Sequence, residues 1–137
     1  MRILSPFLYI TMFLFISACL EKQCEIKIIM SEGWTDFMPL SKGSTHIIVR
    51  LKTNIETEEN INITGFSVKA GEETVNLDKK DYEYKAENVE GIQDIEIKAA
   101  FFLRNKDAGS VSADLILNVG EDVCKFKVDS IAIEKVY

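Results

Sequence analysis

Apolar and polar residues alternate with a period of two through most of the chain. Ile47, Val49 and Leu51 share one side of a run whose other side carries His46, Arg50 and Lys52, interrupted by Ile48. Ile95, Ile97, Ala99, Phe101 and Leu103 repeat the pattern against Glu96 and Lys98. Val111, Ala113, Leu115, Leu117 and Val119 repeat it against Ser112, Asp114 and Asn118. Extended backbone sends successive side chains to opposite faces, so these runs predict half-buried strands; a helix would scatter the same residues around its surface.

Turn chemistry falls between the runs. Val119-Gly120-Glu121-Asp122 suits a two-residue hairpin with glycine first. Lys69-Ala70-Gly71-Glu72, Leu77-Asp78-Lys79-Lys80-Asp81 and Asn105-Lys106-Asp107-Ala108-Gly109 read as further turns. Gly65 breaks the phase between Ile61/Ile63 and Phe66/Val68, which predicts a β-bulge. Ser31 to Phe37 has no clean period and reads as a loop or a short helical turn. Seven or eight short strands at regular spacing predict an all-β domain, packed as a two-sheet sandwich or a small barrel.

The first residues follow a different logic. Arg2 is followed by no charged residue until Glu21, and the run between them is apolar with small residues at its end. That is the layout of a secretory signal segment. Ile16-Ser17-Ala18-Cys19 resembles the lipobox of bacterial lipoproteins. The resemblance implies a signal peptide over 1–18, cleavage before Cys19, and acyl chains on that cysteine. It also implies a tether over 19–23, with the folded domain over 24–137. Two or three acyl chains anchor stably, at about 0.8 kcal/mol per buried CH2. Leu20 after the cysteine, rather than an aspartate, resembles outer-membrane sorting, with the domain facing the periplasm or the cell surface. A soluble secreted form and an uncleaved membrane helix are the alternatives, although spanning takes about 20 apolar residues and this run is slightly short.

Pro39-Leu40-Ser41-Lys42-Gly43, ahead of the Ile47 run, resembles the turn between the first two strands of bacterial immunoglobulin-like domains. The resemblance implies an immunoglobulin-like antiparallel β-sandwich and carries no functional residue. Cys24 lies too early for the antibody pattern, and Trp34 follows it too closely.

Lipid on Cys19 would leave two cysteines, Cys24 and Cys124. Cys24 shares a strand face with Ile26 and Ile28, and Cys124 shares one with Phe126 and Val128, so both point toward a core. An even remainder outside the cytoplasm suggests a disulfide. It would close a loop of about 100 residues, worth roughly 4.7 kcal/mol on the chain-entropy model. Two buried thiols acting as small apolar groups are the alternative.

Charge narrows the function. A net charge of −6 without a Lys/Arg run argues against nucleic acid. Catalysis is not expected: His46 is the only histidine, no G-x-S-x-G elbow exists, and Ser44 sits on the same turn. No CxxC or histidine pair suggests a metal, and no cofactor is implied. Glu56, Glu58, Glu59, Glu72, Glu73, Asp78 and Asp81 read as solvated loops. Trp34, Phe37 and Met38 either plug an open end of the domain or anchor a partner. The expected function is a lipid-anchored envelope lipoprotein, a non-catalytic protein-binding or assembly module. Its membrane contact would be the lipid on Cys19, and its partner an envelope or extracellular protein, as in an accessory of a secretion or conjugation apparatus. The alternative is an inhibitor or immunity lipoprotein blocking a toxin or hydrolase, where acidic balance suits a basic target.

Overall fold

A computed structural model describes residues 25–53, 61–119 and 122–137. The described residues are all-β: β1 (Ile26–Asp36), β2 (Ser44–Thr53), β3 (Ile61–Ala70), β4 (Glu73–Asn76), β5 (Tyr82–Val89), β6 (Ile92–Phe101), β7 (Ser110–Val119) and β8 (Asp122–Val136). One eight-stranded sheet takes them all in, in the order β4-β3-β7-β8-β1-β2-β6-β5. Pairing is antiparallel throughout except at the β1–β8 junction, where Gly33 to Asp36 run parallel to Ile133 to Val136. The sheet curls into a half-barrel.

The three alternating runs are β2, β6 and β7, in the phase the sequence predicts. Ile47, Val49, Leu51, Ile95, Ile97, Leu115 and Leu117 are buried, facing Ile63, Phe66 and Val68 of β3. Curling is what unites them: one face of the sheet becomes the inside, and its apolar residues meet those of strands far along the sheet. Burial at roughly 25 cal/mol per Å² of apolar surface is the main stabilising term. Two tyrosines of β5 brace the gap left by incomplete closure. Tyr84 donates its hydroxyl to the Ile61 carbonyl at 3.0 Å, and Tyr82 donates to that of Ile63 at 3.3 Å. Burial pushes the Tyr82 phenol above its ordinary pKa.

Irregularities bend the strands. The register of β3 slips between Ile63 and Gly65, the bulge predicted at that glycine. In β8 the slip leaves Asp129 and Ser130 without partners between Val128 and Ile131, and Ser130 takes a positive φ of 53°. Beyond this second bulge β8 pairs with β7 through Ala132 and then runs on beside β1 from Ile133. The β5–β6 hairpin turns at Glu90 and Gly91, both at positive φ, in the manner of a type I′ turn. Glu90-Gly91 is a turn the sequence reading passed over.

Two expectations need correcting. Ser31 to Asp36 is strand, not loop: β1 runs through it without interruption. Its burial alternates, but the inward residues are Gly33 and Thr35 and the outward one is Trp34, so the alternation does not show as apolar against polar in the sequence. Ile28, expected on the core side, is 37% exposed, because β8 does not pair with this half of β1. Cys19 and Cys24, the tether and the Glu56–Glu59 cluster lie outside the described residues.

Candidate functional site

The end of the domain where β1 and β8 finish gathers exposed apolar side chains. After Asp36 the chain turns through residues 37–43 into β2. Asp36 organises this turn. One carboxylate oxygen accepts the Met38 N–H at 2.9 Å and the other accepts the Ser41 hydroxyl at 2.8 Å. The Met38 amide hydrogen bond, followed by that from Ser41, holds the Asp36 carboxyl below its ordinary range. Ser41 N–H donates to Met38 O and Ser44 N–H to Ser41 O, winding the turn tightly. The Lys106 ammonium, reaching from the β6–β7 connection, donates to the Lys42 carbonyl at 3.0 Å.

The braced turn holds Leu40 in solvent at 97% exposure, with Met38 beside it at 49%. Phe37 donates its N–H to Val136 O at 2.7 Å and stacks its ring on Tyr137, centroids 5.4 Å apart. Phe102 is exposed just past the end of β6. A leucine held almost wholly in water on a turn braced by five hydrogen bonds has no packing explanation within the fold.

Trp34 sits one row in from this end, on the outer face. Its indole stacks on His46, centroids 5.3 Å apart and planes 11° apart. His46 is half-buried, with Nε2 2.9 Å from the Ser44 hydroxyl. The neighbouring Asp36 carboxylate is committed to Met38 and Ser41, so it does not orient the imidazole. A hollow of about 450 Å³ opens beside the pair, floored by Ile48 and Ala100 and rimmed by Lys80, Asp81 and Lys98. Among the described residues, no group of three or more His, Cys, Asp or Glu could hold a metal ion.

The chain matches no family model and no curated protein sequence. The site is therefore read from its own geometry.

Of the residues singled out in the sequence, Phe37 and Met38 fall within one apolar end, and Trp34 lies beside it on the outer face. Cys124 is buried and engaged with a partner. Leu40 and Tyr137 were missed. Leu40 lay inside a segment read only as a turn, although a large apolar residue between Pro39 and Ser41 was itself a signal. Tyr137 ends the chain, and only the parallel β1–β8 pairing brings it to Phe37.

Proposed function

We propose that the chain is a lipid-tethered, non-catalytic protein-binding module whose contact surface is the Phe37–Leu40 turn with Tyr137. The observation that carries this reading is Leu40, fully solvated on a turn that Asp36 and Lys106 hold rigid. Ordered turns lose little entropy on docking, and clustered exposed apolar side chains, here with the aromatic rings of Phe37 and Tyr137, mark interaction sites. Cys19 would supply the anchor. β1 starts near the tether and finishes at Asp36, about 33 Å away at strand rise. The contact surface would then stand at the far end from the membrane.

We read the fold as immunoglobulin-like. The orders β1-β2-β6-β5 and β4-β3-β7-β8 within the sheet follow the strand sequence of that architecture, with β1 joining the two halves. A Cys24–Cys124 disulfide belongs to the same proposal. β1 and β8 pair at a constant offset of 100, Gly33 to Ile133 through Asp36 to Val136. Cys24 precedes β1 and Cys124 lies near the start of β8, so the two cysteines would enter these parallel strands from the same end, and Cys124 is buried. The inhibitor or immunity reading rests on the net charge of −6, which favours a basic target.

Two measurements test the proposal. Intact mass of membrane-extracted protein should show loss of residues 1–18 and added acyl mass, and Cys19→Ala should release the domain from membranes. A photo-crosslinking residue at Met38 should capture one defined protein in native membranes, and adding Leu40→Glu to the same chain should abolish the capture. Capture that is indifferent to Leu40→Glu would refute the assigned surface.

A further inference from the structure

A second outer-face feature lies where β1 and β8 run parallel. A groove of about 430 Å³ opens there, lined by Glu32, Trp34, Ala132, Glu134 and Val136. Its composition follows from register. Trp34 lies opposite Glu134 and Gly33 opposite Ile133. Gly33, Thr35 and Ile131 are buried, so the even-numbered residues of both strands face outward. Glu32 and Glu134 thereby flank one indole. Ala132, with a single methyl group, leaves the floor open.

Both carboxylates are exposed, and neither takes part in an ion pair or hydrogen bond among the described residues. No lysine or arginine lines the groove. On neighbouring β2 and β6, by contrast, Arg50 pairs with Asp94 and Lys98 with Glu96. The stacked His46 fixes the indole in place. A fixed aromatic face beside two uncompensated carboxylates attracts a cation both through the ring quadrupole and by charge. A guanidinium suits it better than an ammonium: it is planar, weakly hydrated, stacks on indole, and forks two donors to a carboxylate.

We infer that this groove receives an arginine side chain of the partner protein, stacked on Trp34 and hydrogen-bonded by Glu32 or Glu134. The inference rests on the reading of the chain as a protein-binding module and names the chemistry of the contact.

Trp34 is the only tryptophan in the chain, so its fluorescence reports directly on the groove. The full chain, in detergent, is titrated with acetyl-Gly-Arg-Gly-amide, with the same peptide carrying neutral citrulline, and with the lysine peptide. A saturable response to the arginine peptide is expected. Half-saturation should require at least tenfold more of the citrulline peptide, and should rise similarly in a Glu32→Gln/Glu134→Gln variant whose melting temperature matches the parent. Equal responses to arginine and citrulline, an unaffected double variant, or stronger binding of the lysine peptide would each overturn the assignment. Failure of the wider reading is distinguishable. If the Met38 crosslink still forms in the double variant with undiminished yield, the groove is not the arginine site, while the binding module stands.

Discussion

The two halves of β1 have the same backbone and opposite fates. From Ile26 to Met30 the strand pairs with β2 alone and bulges at Ile29, and Ile28, Ile29 and Met30 stay exposed. From Gly33 to Asp36 it lies between β2 and β8, and Gly33 and Thr35 are fully enclosed. Composition would predict the reverse, since the first half is mostly aliphatic and the enclosed positions of the second are glycine and threonine. The difference teaches that burial here depends on whether a third strand arrives, and β8 arrives only past its bulge at Ser130.

Filling the enclosed half should do the most damage. A Cβ at Gly33 would lie 2.5 Å from Ile133 Cδ1 and 3.2 Å from the His46 carbonyl oxygen, so a methyl group already displaces the end of Ile133 and crowds β2, and a larger side chain has no room. Gly33→Leu should cost about 2–3 kcal/mol in denaturant unfolding, while Ile29→Leu in the open half should cost almost nothing. Equal losses would mean that the two halves are packed alike.

A smaller effect is expected at the buried hydroxyl pair. Thr35 and Thr45 hydrogen-bond across β1 and β2 at 2.9 Å with no exposure to water. Thr35→Val should cost about 1–2 kcal/mol by stranding the Thr45 hydroxyl. Changing both to valine should recover most of that loss, because no polar group is then left unpaired. Chemical denaturation of the three variants forms the cycle. A double variant no better than the single would show that shape, not pairing, matters there.

At the end of the enclosed half, Asp36 makes the turn pH-sensitive. Its carboxyl titrates below the ordinary 3.8 in the folded chain. The stabilisation is therefore complete above 3.8 and is lost as pH falls through the lowered value. Asp36→Asn should melt below the parent at neutral pH, and the gap should close as pH drops below 3.8. A gap that stays constant with pH would separate the turn from this carboxylate. The least effect belongs to the open half: Ile28→Thr should shift stability by no more than about 0.5 kcal/mol. A larger loss would show that Ile28 is covered in solution.

The same contrast explains what could be read from the chain. β2, β6 and β7 were legible because each is flanked on both sides by strands and has one face on the core, so alternation survives in the sequence. The bulge at Gly65 was legible because a phase break leaves its mark locally. β1 was legible only in part, since the inward residues of its second half are glycine and threonine and its tryptophan points outward. Of the site, Trp34, Phe37 and Met38 stood out as aromatic and sulfur-bearing residues in an aperiodic stretch. Their arrangement did not, because Tyr137 and Glu134 reach them from 100 positions away and Lys106 reaches the turn at Lys42 from 64 positions away.

Local pattern alone determined that this chain forms strands, roughly where most of them lie, and which side chains of β2, β6 and β7 face inward, since the two-residue repeat is a property of extended backbone. Tertiary structure alone decided that all eight strands join one curled sheet, that Ser31 to Asp36 is strand, and that Trp34 stands between two glutamates. Those outcomes depend on which distant strand pairs with which. Hydrogen-bond register between strands leaves no periodic trace in the sequence of either.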